Sequence, residues 1–483
     1  MSQTAPLTKN SPEIQNGATI RTAGIWPTPS ATIDPMPVSP ARAAAFDILL
    51  RVERESSYAA ELLHSVTHEH LSTPDHALAT ELVMGTLRWR SRLDYEIAQA
   101  SSQPLSKLDT EILIALRLAL YQFRWLDRIP QRAALHESVE LVKRARKRSA
   151  APFVNAVLRK LSVAPKNRPT KSEPDSPEEL ARDLAHPLRL VERWTNEYGL
   201  AAAAKICQHD QSIPQTTIRL RTKSAEAELI EEGIKLRPGA LLSSARRVIA
   251  GDVTKTKAFR TGEVVIQDEA SQLVAALVGT GTSILDCCAA PGGKTLAIAD
   301  LNPTAAITAV ELHPHRARLL QKLTHPHDTN STAQIQVVVA DAQSLPTSLP
   351  FDRVLADVPC SGTGTLARNP EIKWRLKLED IAHLHERQSA ILRSALRQLA
   401  PDGRLIYSTC SLEKEENEDV VEKVLEENPS FRLLDCRTEL DRLKESADLN
   451  WPDPTSLTRG PYLRTIPGIH DCDGFFSAIL ARM

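Results

Sequence analysis

Long apolar runs are missing from this chain. No stretch approaches the roughly 20 consecutive apolar residues that span a bilayer, and the N-terminus lacks the basic start and apolar core of a secretory signal. A soluble, cytoplasmic protein with no membrane partner is the expectation. A disulfide framework is missing too. The seven cysteines, Cys207, Cys287, Cys288, Cys360, Cys410, Cys436 and Cys472, are odd in number and form no C-x-x-C pair, so reduced thiols are expected. The adjacent pair Cys287 and Cys288 suits neither zinc chelation nor a strain-free disulfide, and no metal site is expected. An excess of one charge is absent as well: a net charge of -1 gives no overall attraction to phosphate, so nucleic-acid binding must rest on local basic patches. Aromatics are sparse at 4%, but 42% hydrophobic and 25% charged residues are ordinary globular values and exclude disorder throughout. A chain of 483 residues exceeds one growing core, and about three domains are expected.

Residues 1–40 are rich in Pro, Ser and Thr and read as a disordered leader. Over 41–164, runs such as AFDILLRV, ELVMGTLRW and DTEILIALRLALYQFRWL repeat apolar residues at three- and four-residue spacing, which predicts an all-α bundle. The polar, Pro-rich stretch within 165–185 reads as a linker. Residues 186–268 mix helix-like and short strand-like runs and read as a small α+β module. From 269 to 483, SILDCC, AITAVEL, IQVVVAD, FDRVLADV, GRLIYST and FFSAIL alternate with amphipathic helices. That alternation predicts βαβ units in a Rossmann-like, doubly wound parallel sheet, whose carboxyl strand ends should hold the chemistry.

The first strand runs into Cys287-Cys288-Ala289-Ala290-Pro291-Gly292-Gly293-Lys294-Thr295 and then a helix, so small residues let a ligand approach bare backbone. A phosphate-binding G-x-x-x-x-G-K-[ST] loop would need glycine where Cys288 stands. The second strand ends at Glu311, where a carboxylate can accept two hydrogen bonds from a ribose diol, and the third at Asp341. Either alone would serve as readily as a helix N-cap. Together, and without a G-x-G-x-x-G fingerprint, they describe an adenosine-containing cofactor with no pyrophosphate, which S-adenosylmethionine fits. The fourth strand ends in Asp357-Val358-Pro359-Cys360-Ser361-Gly362 and the fifth in Ser408-Thr409-Cys410-Ser411, so two cysteines face one cleft. Their Pro, Gly, Ser and Thr neighbours are poor packing material and favour activated thiols, whereas the other five cysteines read as small buried hydrophobes.

The strings DCCAAPGGKT, ADVPCSGTGTLARNPEIKW and IYSTCSLEKEENEDVV resemble the cofactor loop, Pro-Cys motif and Thr-Cys motif of bacterial ribosomal RNA cytosine-5 methyltransferases of the RsmB/Sun (Fmu) type. The helical segment 41–164 is similar to the NusB fold that members of this family carry in front. The resemblance implies methylation of carbon 5 of a cytosine in 16S rRNA through a covalent cysteine–cytosine bond. A thiolate adding to carbon 6 makes carbon 5 nucleophilic, and loss of the carbon 5 proton later expels the thiol. Spacing alone leaves the choice of cysteine open. The resemblance assigns attack to Cys410 and product release to Cys360. It also implies that Cys288, Ala289, Ala290, Pro291, Gly292, Gly293, Lys294, Glu311, Asp341 and Asp357 line the cofactor. Asp357 additionally becomes a candidate acceptor for the cytosine amine. Val358 stands where the family usually has Ala.

Two basic clusters are candidates for RNA contact: Arg88, Arg90 and Arg92, and the run Lys143, Arg144, Arg146, Lys147 and Arg148 at a helix end. The expected partner is 16S rRNA before complete subunit assembly, and a monomer is expected. Two rival readings remain. A non-catalytic NusB-like RNA-binding or antitermination factor is opposed by Cys360 and Cys410. A tRNA cytosine-5 methyltransferase shares the motifs but is not favoured by the NusB-like segment.

Overall fold

The computed structural model describes residues 38–55, 57–65, 71–165, 174–324, 333–346 and 350–483. Residues 1–37 of the expected leader and 166–173 of the expected linker lie outside the described residues. Among the described residues, no helix is long and apolar enough to cross a membrane.

Seven helices form the first layer: α1 Pro40–Glu55, α2 Ala59–Leu63, α3 Thr73–Arg88, α4 Arg90–Ala100, α5 Thr110–Trp125, α6 Gln131–Arg144 and α7 Ala151–Val163. Helix α5 (TEILIALRLALYQFRW) is apolar nearly all round and is accordingly the buried centre, with Ile114, Leu116, Leu118, Leu120 and Phe123 in the core. Burying each such side chain contributes roughly 1.5–3 kcal/mol. Its inward Arg117 is neutralised by the Asp94 carboxylate, which accepts Nε at 2.6 Å and Nη2 at 2.7 Å.

Part of the stretch read as linker is helical: α8 Pro177–Asp183 precedes α9 Leu188–Tyr198 and α10 Leu200–Gln211. Ser176 Oγ caps α8 by accepting from Glu179 N, and Pro177 occupies the first turn, a start signal present in the sequence as S-P-E-E. The reason it holds is burial of Leu180 beside Leu190, Val191 and Trp194. These helices pack on Leu366, Leu376, Ile381 and Leu412 of the following domain.

A small antiparallel sheet comes next, with β1 Thr217–Leu220, β2 Lys235–Pro238, β3 Ala245–Ala250 and β4 Val264–Ile266 in the order β2-β3-β1-β4. Arg219 and Arg221 tie it down by sharing Asp300, at 2.5 Å and 2.6 Å.

The large sheet contains β5 Ser283–Asp286, β6 Ala306–Glu311, β7 Gln334–Val339, β8 Phe351–Asp357, β9 Leu399–Thr409, β10 Phe431–Leu434, β11 Thr458–Arg459, β12 Tyr462–Thr465 and β13 Phe475–Arg482. Its order is β11-β12-β13-β9-β8-β5-β6-β7, with β10 paired to β13. Successive residues feed opposite cores: Ile284, Leu355 and Ile406 one, Leu285, Val354 and Leu405 the other. Both faces are therefore covered, as expected of a doubly wound sheet. The sheet is mixed, however. Strands β7, β6, β5, β8 and β9 are parallel, whereas the FFSAIL strand β13 runs antiparallel to β9 and corrects the all-parallel expectation. Strand β13 follows β12 as a hairpin, which needs no helical crossover. The chain turns from β5 outward to β7 and then back to β8, so the crevice between β5 and β8 is the topological switch point.

Candidate active site

The β5 loop and the β8 loop flank that crevice. Cys287 N donates to Leu355 O at 2.8 Å and Ala289 N to Val310 O at 2.8 Å, so the loop after β5 is anchored to both neighbouring strands. Gly292 then turns the chain at φ +116°, and a Cβ there would meet Leu320 Cδ1 at 2.7 Å, so only glycine fits before helix Gly293–Leu301. Asp286, fully buried, accepts the Thr295 hydroxyl at 2.7 Å, and burial pushes its carboxyl up to about 7.

One cleft of about 330 Å³ gathers Cys288, Ala290, Glu311, Asp341, Asp357, Cys360 and Cys410. Glu311 is 4% exposed, accepts from His313 N at 2.8 Å and lies 3.7 Å from Arg316. Asp341 caps the following turn, accepting from Gln343 N at 2.9 Å, and still faces the cleft, so the capping and lining readings coexist. Of the other loop residues, Ala289 is buried behind the cleft, while Pro291, Gly292 and Gly293 form the turn into the helix. Lys294 reaches forward from that helix, and its Nζ donates to Asp357 Oδ2 at 2.8 Å. Burial disfavours the Lys294 ammonium, but the charge and hydrogen bond of Asp357 outweigh it, Cys410 adds to the effect, and the pKa rises.

The two cysteines meet. Cys360 Sγ and Cys410 Sγ are 3.2 Å apart, both half-buried and both free thiols. The hydrogen bond to Cys410, together with burial, pushes the Cys360 thiol well up. The loops carrying them are laced together: Val358 N donates to Ser408 O at 2.9 Å, and Gly364 N to Cys410 O at 2.9 Å. Gly474 N donates to Gly364 O at 2.8 Å, and a Cβ on Gly364 would collide with the Gly474 carbonyl. Of the remaining cysteines, Cys207, Cys287, Cys436 and Cys472 are buried, whereas Cys288 is half-buried and lines the cleft; burial raises all five thiols.

Sequence spacing missed the residue that joins the loops. Glu416 is fully buried and accepts from Ser361 N at 2.8 Å, Ser361 Oγ at 2.5 Å, Ser411 Oγ at 2.5 Å and Gln388 Nε2 at 2.9 Å. It is one of three glutamates in EKEEN, and nothing in that string distinguishes it from Glu413, which is also buried, or from Glu415, which is only partly so.

The first basic cluster requires correction. Arg88 is 5% exposed and donates to Ala367 O at 2.9 Å. Arg90 pairs with Glu53 at 3.1 Å and lies 5.8 Å over the Trp374 ring, and Arg92 pairs with Glu96 at 3.6 Å. Arg88 and Arg90 are spent on the contact between bundle and catalytic domain, and Arg92 on an ion pair within the bundle, because helices α3 and α4 turn these residues inward. The second cluster is at the surface. Lys143, Arg144 and Lys147 pair with Glu140, Asp47 and Asp109 at 2.6, 2.7 and 2.9 Å. Exposed Arg146 and Arg148 have no ion-pair partner among the described residues. A larger cavity of about 610 Å³ contains neither cysteine; its Arg219, Arg221, Arg404 and Arg442 are neutralised by Asp300 and Glu439.

A switch-point cleft holding three carboxylates and a facing pair of thiols among its cysteines, on a sheet of five parallel strands with an added antiparallel edge, defines a Rossmann-like methyltransferase domain behind an all-α domain. Residues 276–481 match the family described as 16S rRNA methyltransferase RsmB/F, and residues 39–162 match the NusB family. The probable ribosomal RNA small subunit methyltransferase B of Bacillus subtilis is 36% identical over 448 residues, covering 90% of this chain and 97% of its own. The ribosomal RNA small subunit methyltransferase B of Vibrio cholerae is 30% identical, covering 91% of this chain and 97% of its own. The chain belongs to the 16S rRNA methyltransferase RsmB/F family. Among solved structures, PH0851 superposes with a TM-score of 0.74 at 23% identity over 92% of this chain and 99% of that one. NSun6 from Pyrococcus horikoshii, solved with SFG, has a TM-score of 0.52 at 21% identity over 61% of this chain and 98% of that one. Both likenesses concern the fold.

Proposed function

We propose that this protein methylates carbon 5 of a cytosine in 16S rRNA, using Cys410 as covalent nucleophile and Cys360 to release the product. The observation that carries this reading is the pair of sulfurs 3.2 Å apart at the ends of β8 and β9, facing one carboxylate-lined cleft.

The residues fit S-adenosylmethionine, which when bound supplies a methyl group on a sulfonium. Glu311, Asp341 and Asp357 put negative charge around a cleft whose volume lies in the roughly 300–1,000 Å³ range of small-molecule sites. Glu311 stands where a ribose diol would donate, and the cofactor would carry a sulfonium and an ammonium to balance the carboxylates. The chain's own part is to prepare the base. Cys410 forms a bond to carbon 6 as the ring's 5,6 double bond shifts electrons toward carbon 5. After methylation the carbon 5 proton passes to solvent water, its electron pair restores the 5,6 double bond, and the sulfur–carbon bond breaks with its electrons leaving on the Cys410 sulfur. Cys360, its sulfur 3.2 Å from that of Cys410, is placed to donate a proton to the Cys410 sulfur as it leaves. The Lys294 ammonium supplies positive charge toward the Cys410 thiolate and holds Asp357 in place to accept the cytosine amine.

The test is to incubate the protein with labelled S-adenosylmethionine and unmethylated small-subunit rRNA and to map the product. Label in 5-methylcytosine is expected; label in another nucleotide would overturn the chemistry, and label on tRNA alone would overturn the substrate. For RNA docking, Arg146→Ala and Arg148→Ala are each expected to lower the slope of log affinity against log salt by about 1. Arg88→Ala should instead lower Tm and leave that slope unchanged. Equal slopes for all three variants would remove the second cluster from the interface.

A further inference from the structure

The helical domain reaches into the catalytic cleft. Tyr58, between α1 and α2, lines the same cleft as Cys360 and Cys410. The backbone on either side of it is gripped by the catalytic domain. Arg375 Nη2 donates to Ser57 O at 2.6 Å and to Val52 O at 2.7 Å, and Glu371 Oε1 accepts from Ala59 N at 2.8 Å. Ala59 and Glu371 are buried, so these anchors are fixed. Trp374 Nε1 adds a bond to Leu87 O at 2.6 Å, and all three gripping residues lie just after the Pro-Cys loop.

The ring between these anchors is only partly covered. Tyr58 is 46% exposed, and its hydroxyl has no hydrogen-bond partner among the described residues. Such a ring in a cleft is unusual in a chain with only 4% aromatics. Burial and the charge of Glu371 raise its phenol pKa, with Cys360 and Cys410 also acting on it. Tyr58 shares its cleft with both sulfurs, and its neighbours Ser57 and Ala59 are held by Arg375 and Glu371, which follow the Pro-Cys loop in the chain. Enzymes that act on a base must take it out of its stack and hold it between apolar or aromatic surfaces. A neutral ring, pinned through its backbone and left open beside the nucleophile, meets that requirement.

We propose that Tyr58 is a substrate-positioning residue that stacks on the extruded cytosine, so that the helical domain completes the active site. This rests on the cytosine-5 reading. Full-length wild type, Tyr58→Phe, Tyr58→Leu and Tyr58→Ala are compared for kcat and KM on unmethylated small-subunit rRNA, for Kd of S-adenosylmethionine and for Tm. Tyr58→Ala and Tyr58→Leu are expected to lose about ten- to a hundredfold in kcat/KM for RNA. Tyr58→Phe should stay within about threefold of wild type, with cofactor affinity and Tm unchanged throughout. Activity of Tyr58→Ala within twofold of wild type would overturn the proposal. So would a Tyr58→Phe defect as large as that of Tyr58→Ala, or a loss matched by weaker cofactor binding. A wild type that forms no 5-methylcytosine overturns the cytosine reading and this inference together; an undiminished Tyr58→Ala overturns the inference alone.

Discussion

Cys410→Ala is expected to abolish methyl transfer, with a loss of at least about 10⁴-fold, since covalent activation has no substitute once the nucleophile is gone. Cys360→Ala is expected to behave differently. With Cys410 intact, attack on carbon 6 still occurs, but the thiol that would return a proton to the departing sulfur is missing. A protein–RNA adduct that survives a denaturing gel should therefore accumulate. The 3.2 Å separation puts both sulfurs within reach of one ring carbon, so proximity does not choose between them. The choice of Cys410 rests instead on the likeness of its Thr-Cys motif, IYSTCSLEKEENEDVV, to that of the family. Transfer surviving in Cys410→Ala, or an adduct formed by Cys410→Ala and not by Cys360→Ala, would exchange the two roles.

Glu416→Ala should be the most damaging change outside the thiols. Four donors from Ser361, Ser411 and Gln388 converge on its two oxygens, and the side chain is fully buried. Each buried donor left without an acceptor costs about 1–3 kcal/mol, so a destabilisation of at least about 3 kcal/mol is expected in urea unfolding. The Pro-Cys and Thr-Cys loops would also lose their common anchor. A shift of about 1 Å between the sulfurs and the base should lower kcat about a hundredfold. Glu416→Gln should be milder. Its remaining oxygen can still accept from Ser361 N and Gln388, while its amide can donate to hydroxyls that rotate to accept. Glu416→Ala unfolding like wild type would show that the loops hold their positions without it.

Several misreadings share one physical origin. Arg88, Arg90 and Arg92 read as a phosphate-binding cluster because sequence shows charge but not the direction a helix face takes. Packing turned Arg88 onto the Ala367 carbonyl and Arg90 over Trp374. The segment Pro177–Asp183 was masked by its polar, Pro-rich surroundings, although Ser176 and Pro177 are ordinary helix-start residues. The direction of β13 was not legible because a period-2 apolar run is the same in either orientation. Tyr58 went unnoticed because the residues that hold its neighbours belong to another domain, and Glu416 because its role depends on Ser361 and Gln388 from other segments as well as on nearby Ser411.

The sequence by itself determined which residues stand at the strand ends that line the cleft, because a parallel α/β sheet puts those ends at one edge and the motifs there are local. DCCAAPGGKT, Glu311, Asp341, Asp357, Cys360 and Cys410 were readable one strand at a time. Only the tertiary structure decided how far apart the sulfurs lie, which buried carboxylate binds their loops and which domain lends a ring to the cleft. Those are distances between segments remote in the chain, set by packing and by the pairing of buried polar groups, and no local pattern encodes them.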